Sequence, residues 1–237
     1  MDRVRRVCTL IGMVAIAATG FQAFSQERQY SIMLFGGLTT SSKLFHHPND
    51  PDELLRSQFF PFENIFSAGI DARRNFEDLG VQIGLNVEYI SKNTTSSIPA
   101  PAGTVQVTDG LIAFPVELTG YFYIPVGSDR FHVYMGGGTG AYIGSRTYEY
   151  AGAVAQTVER TAGFGIHILS GVEYDLTPEV SLRSEIKFRD VQFETVNRFT
   201  QFAAFDQGST LTLDQDPLPS RINIDGMHLS LGIAFHL

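Results

Sequence analysis

His228 and Ser230 stand two apart in the stretch from 227 to 237, where apolar residues alternate with small or polar ones. At strand spacing their side chains point the same way, the minimum arrangement for a base–nucleophile pair awaiting an acidic third member. By parity both share the polar face, opposite Leu229 and Leu231. The other histidines carry weaker patterns. His46 and His47 are adjacent, whereas His132, His167 and His236 fall in separate segments, and no spacing among them matches a metal site. Asp214 and Asp216 lack an EF-hand loop around them. Gly136–Gly138 lies inside an alternating segment with no helix after it, so it is not a phosphate loop, and glycine there makes room for bulky neighbours. The residues assign no catalytic group, no cofactor and no metal.

The stronger constellation is electrostatic. Asp71, Arg73, Glu88, Glu117, Glu173, Arg183, Glu185, Lys187 and Arg189 all fall on the less apolar parity of their segments. Four of them follow one another at every second position from 183 to 189, a face unsuited to a sandwich core. Five acids against four bases point to mutual pairing, because an unpaired interior charge is costly. The reading adopted is a structural network that plugs a lumen; the alternative is a charged gate through a narrow pore.

These residues need strands to position them, and the sequence supplies eight. Residues 28–38, 63–76, 80–92, 110–124, 130–148, 160–175, 180–194 and 227–237 all alternate with period two. Short links at 77–79, 125–129 and 175–179 take turns with long polar links at 39–61, 93–109, 149–159 and 195–221. Sorting of links by length to opposite ends is the mark of an up-and-down membrane barrel with short periplasmic turns and long extracellular loops. With the apolar parity outward, two aromatic belts form. One holds Tyr30, Phe76, Phe122, Phe131, Tyr174 and Phe235; the other holds Phe66, Tyr89, Phe114, Phe164 and Phe188. The chain has no Trp, so Phe and Tyr must form the belts alone.

The first 25 residues set the compartment. Arg3, Arg5 and Arg6 precede the apolar run LIGMVAIAA, and Ala23-Phe24-Ser25 offers small residues for cleavage before Gln26. This pattern is a Sec-type signal peptide over 1–25, followed by one barrel domain over 26–237. The leader carries three Arg, one Asp and Cys8, the one cysteine, leaving 14 basic and 24 acidic side chains. That balance disfavours nucleic acid, and a chain without cysteine has no disulfide framework.

Residues 111–123 (LIAFPVELTGYFY), a turn, and 133–142 (VYMGGGTGAY) resemble the central hairpin of small outer-membrane β-barrel-domain proteins of the OmpA, OmpX and OmpW types. Residues 164–188 (FGIHILSGVEYDLTPEVSLRSEIKF) resemble the hairpin that follows. The resemblance implies an all-β, eight-stranded antiparallel up-and-down transmembrane barrel in the outer membrane of a Gram-negative-type bacterium. It says little about activity, since that family is a scaffold with many uses.

The expectation is therefore a monomeric, non-enzymatic envelope or surface protein. Its partners are outer-membrane lipid and any surface ligand met by four extracellular loops. The alternatives are a narrow channel for small solutes and a lipid-modifying enzyme. Leu54, Leu55, Phe59, Phe60, Phe199, Phe202 and Phe205 lie in the long links, where they either contact a partner or fold onto the barrel rim.

Overall fold

The computed structural model describes residues 29–100, 103–206 and 209–237; the leader expected over 1–25 lies outside the described residues. In chain order the elements are β1 (Tyr30–Phe45), the short helix α1 (Glu53–Ser57), β2 (Phe59–Phe76), β3 (Val81–Ala100), β4 (Gly103–Ser128) and β5 (Phe131–Tyr150). They continue with β6 (Ala153–Arg160), β7 (Gly163–Asp175), β8 (Val180–Phe199), β9 (Ala203–Asp206), β10 (Ser209–Thr212), β11 (Leu218–Ile224) and β12 (Met227–His236).

All pairings are antiparallel, and the sheet closes. Strands β1 to β5 pair in sequence. The sixth stave is broken in two, with β7 pairing β5 and β8 below and β6 pairing them above. The eighth is broken likewise, β12 joining β8 to β1 below and β11 joining them above. The result is eight staves with no free edge. A small hairpin of β9 and β10 hangs from the upper end. The two ends of the described chain meet at the lower end, where Leu237 N–H donates to Tyr30 O at 2.9 Å.

Three of the four long links turn out to be largely strand. Residues 93–100 and 103–109 form a continuous ladder between β3 and β4, with Thr95 and Thr108 hydroxyls 2.9 Å apart across it. Residues 149–159 reduce to a two-residue turn at Ala151–Gly152 and a further strand. Within 195–221, β8 continues to Phe199 and β11 begins at Leu218. The fourth, 39–61, narrows to the segment around α1 because β1 and β2 stay paired up to Phe45 and Phe59. The turn expected at 125–129 also shrinks, since β4 runs to Ser128.

The longer staves change the architecture. Twenty residues of β8, at about 3.3 Å each and tilted about 40°, rise about 50 Å, roughly twice a 25 Å apolar band. Strand β8 shows how both halves are built. From Val180 to Phe188 the outward positions are Val, Leu, Ser, Ile and Phe, while Ser181, Arg183, Glu185 and Lys187 point in. Beyond Arg189 the senses exchange: Asp190, Gln192 and Glu194 point out, and Val191 and Phe193 are buried inside. Strand β3 does the same, with Leu85, Val87 and Tyr89 outside below and Ile90 inside above. The lower half is apolar outside and charged inside; above it the outward positions of β8 turn polar and its inward ones apolar.

In β1 and β2 the exchange is accompanied by a slip of the pleat. Inward positions are odd up to Thr39 but even from Ser42 to Leu44, and on β2 they pass from Ile65 to Phe62. Asn64 absorbs the slip with φ of +54°, a left-handed conformation that Asn tolerates better than most residues.

Candidate functional site

The inner face is the one place where the sequence concentrates chemistry. All nine charged residues singled out above are buried in the lumen of the lower half, and they fall into two interlocking groups. The lower group centres on two guanidiniums. Arg183 on β8 donates to both carboxylate oxygens of Glu173 on β7, at 3.1 and 3.2 Å, and lies 3.7 Å from Asp71 on β2. Arg73 donates to Asp71 at 2.5 Å and pairs with Glu185. Its guanidinium stacks 3.7 Å above the Tyr121 ring and 5.0 Å from Tyr134. Those two phenols donate to Asp71 at 3.1 Å and Glu185 at 2.6 Å, so each carboxylate has a neutral donor besides its cation. Tyr134 fits because Gly171 faces it: a Cβ there would lie 2.4 Å from the ring.

The second group lies one tier higher. Arg189 donates twice to Glu88, at 2.9 and 3.3 Å, and Lys187 donates to Glu117 at 2.5 Å. Tyr142 also donates to Glu117. His228 and Ser230 face inward here. His228 Nδ1 lies 3.1 Å from the Thr39 hydroxyl and 3.8 Å from Glu88, so its neighbours are the network. His167 is likewise held, 2.8 Å from the Thr119 hydroxyl.

Above the charges the filling becomes apolar. Leu44, Phe62, Ile65, Ile90, Leu111, Ala113, Tyr142, Val191, Phe193, Ile222 and Ile224 form one cluster drawn from seven of the eight staves. Phe193 reaches across to β5, where a Cβ on Gly144 would sit 2.4 Å from its ring. The run Gly136–Gly138 has a different reason. A Cβ on Gly138 would lie 1.9 Å from the Leu118 carbonyl, so close backbone approach matters there as much as room for a ring.

A polar cap that the sequence did not disclose sits above this plug. Arg146 on β5 grips Asp109 on β4 with Nε and Nη2, at 2.8 and 2.5 Å, and donates to Ser220 at 2.9 Å. His46, at the start of the α1 link, lies 3.1 Å from Asp109. Burial pushes the Asp109 carboxyl up, but the hydrogen bonds with His46 and Arg146 outweigh it and hold the group below its usual range. Asn197 donates to the carbonyls of Ala155 on the neighbouring β6 and of Arg146 on β5 beyond it, tying β8 to both.

At the lower mouth two acids and a histidine converge. The donor atoms of Glu173, Asp175 and His236 lie within 4.8 Å of one another. His132 adds a second imidazole 3.6 Å from Asp175. Glu173 and Asp175 are two apart on a strand and so share a face; β12 brings His236 to them across β8.

The outer surface decides what surrounds the lower half. Leu118 is 54 % exposed and Phe188 52 %, while Glu117 and Arg183 beside them are wholly buried. Tyr30, Phe122, Phe131, Tyr174 and Phe235 ring the lower rim outside; Phe66, Tyr89, Phe114, Phe164 and Phe188 form a higher ring. Both rings face outward, with charges sealed inside, as only a hydrocarbon solvent favours. The chain is a transmembrane β-barrel.

No protein-family model matches this barrel, and no characterised relative does. Solved structures of similar form include neisserial surface protein A, at 14 % identity and a TM-score of 0.46, covering 88 % of this chain and 97 % of that one. The attachment invasion locus protein Ail of Yersinia pestis, in complex with the heparin analogue sucrose octasulfate, aligns at 10 % identity and a TM-score of 0.46, covering 88 % and 99 %. Outer membrane protein W of E. coli aligns at 12 % identity and a TM-score of 0.36, covering 90 % and 100 %. Likeness this distant assigns no activity to the barrel.

Proposed function

We propose that the protein is a monomeric, non-enzymatic envelope protein of a Gram-negative-type outer membrane, delivered there by its Sec-type leader. The observation that carries this reading is the double seal of the lumen. A charge network whose carboxylates each have a cationic partner fills the lower half, and an apolar cluster from seven staves fills the upper. A conducting pore needs a continuous wet path, and the Phe62–Phe193 layer offers water no polar partner. A hydrolase needs a nucleophile poised toward substrate, whereas His228 Nδ1 faces the Thr39 hydroxyl deep in the buried lumen. The part left to act on the surroundings is the upper end, where Leu54, Phe202 and Phe205 are exposed and a surface ligand would meet them.

Planar-bilayer recording of the refolded protein tests the seal. The expected trace is flat at moderate voltage. Steady single-channel steps would replace this reading with the solute channel, and release of fatty acid from outer-membrane lipid by the purified barrel would replace it with the enzyme.

A further inference from the structure

The outer wall of the lower half breaks its own rule once. From the lower aromatic ring to the upper one, the outward positions of the described staves hold a single charged side chain, Arg74 on β2. An ionised group facing hydrocarbon is costly near the midplane and tolerated only at the level of the headgroups. Arg74 sits at that level. It pairs across the sheet with Tyr30, a member of the lower ring, and stands two residues from Phe76.

The guanidinium has company but no counter-charge. Its Cζ lies 4.8 Å from the centre of the Phe76 ring and 5.6 Å from that of Tyr30. Among the described residues no carboxylate forms an ion pair with it, although Arg73, its neighbour on the inner face, has two. The outward cations Lys43 and Arg221 of the upper half also have theirs, Asp225 and Glu194. The rings hold the guanidinium without using its N–H groups, a planar fork of donors that matches two oxygens of a phosphate. Phosphate is the anion that a phospholipid presents at this height. In a zwitterionic phospholipid the headgroup's own ammonium answers that charge; in an anionic one the phosphodiester is free to pair.

We propose that Arg74, framed by Tyr30 and Phe76, binds the phosphate of one anionic phospholipid in the leaflet at the lower end of the barrel. The contact pins the lower aromatic ring to the headgroup layer beside β1 and β2. It rests on the membrane setting of the lower half and not on the sealed lumen, so a conducting barrel would leave it standing.

Native mass spectrometry tests this on the refolded mature barrel, released from micelles that hold equal amounts of phosphatidylglycerol and phosphatidylcholine. One retained phosphatidylglycerol per barrel is expected, in preference to phosphatidylcholine. A single arginine at a charged lipid surface is worth about a fivefold change in binding, so Arg74→Gln should lower phosphatidylglycerol retention by about that factor. Arg74→Lys, which keeps the charge but not the planar fork, should fall between the two. Arg130→Gln removes an exposed cation from another turn at the same end and should leave retention unchanged. Heat-dependent gel mobility confirms that each variant is folded before measurement. Equal retention of the two lipids by the unsubstituted barrel overturns the proposal. So does retention unchanged in Arg74→Gln, an equal fall in Arg130→Gln, or Arg74→Lys binding no better than Arg74→Gln. Displacement of the lipid by inorganic phosphate would also overturn it, since the site would then belong to the free ion.

Discussion

Replacing Arg183 by Met tests whether the lower network stabilises the barrel by charge pairing. Methionine keeps most of the volume, so the cavity contribution is small. What is lost is the cation between Glu173 and Asp71. Asp71 keeps Arg73 at 2.5 Å and Tyr121 at 3.1 Å, so it is little affected. Glu173 keeps only weaker donors: the Ser181 hydroxyl at 2.5 Å, Tyr123 at 3.1 Å and His236 at 3.1 Å. Breaking a buried pair by removing one partner costs about 3–5 kcal/mol. The remaining donors place this case at the lower end, about 3 kcal/mol, or more than a hundredfold in the folding constant. Urea unfolding in lipid vesicles measures it. Adding Glu173→Gln to Arg183→Met should recover part of the loss, because the stranded charge is gone. Ser230→Ala should cost under about 1 kcal/mol. A loss under 1 kcal/mol for Arg183→Met, or a double variant worse by the full sum, would refute the pairing argument.

Phe193→Ala empties the middle of the apolar layer and should cost about 3–5 kcal/mol by the same unfolding assay. Acid weakens the upper cap. The Asp109 carboxyl is held below its usual range, so its contribution is complete above the ordinary value near pH 4 and fades as pH falls further; Asp109→Asn should flatten that acid limb in an unfolding-versus-pH series. With no open edge, the barrel should resist SDS until heated, so boiled and unboiled samples should run differently on a gel. A protease site at Gln215 should be cut on intact cells, and one at Pro178 should not; the reverse would invert the barrel's orientation.

The lower half was legible because both of its faces speak. Leu182, Ile186 and Phe188 alternate with Arg183, Glu185 and Lys187, and strand period, barrel class and inward parity follow from that contrast. The upper half was harder for a physical reason. In residues 93–99 most side chains meet water on either face, so Thr95 pairs with Thr108 across a ladder whose first strand has no apolar period to detect. In β8 the period persists but its sense reverses at Asp190, and a rule fixed on apolar-outward stops there. Val191 and Phe193, on the same parity as Arg189, were the available sign of that reversal. The Arg146–Asp109 cap and the Glu173–His236 cluster join residues tens of positions apart, which only the register of the closed sheet brings together. Glu173 and Asp175, two apart on one strand, were the local half of the latter.

The exchange of faces along each stave also sets how deep the barrel sits. Pushing it lower end first by a single rung begins to drag Asp190 and Gln192 into hydrocarbon, followed by Glu194 and Arg198. A charged group on the lipid face costs up to about 2–4 kcal/mol near the midplane, and neighbouring staves would add polar groups of their own. Raising it instead lifts Phe188 and Tyr89 into water. The two penalties oppose each other over a few ångströms, so the protein carries its own draught line, and the β3–β4 hairpin is held at a set height above the bilayer.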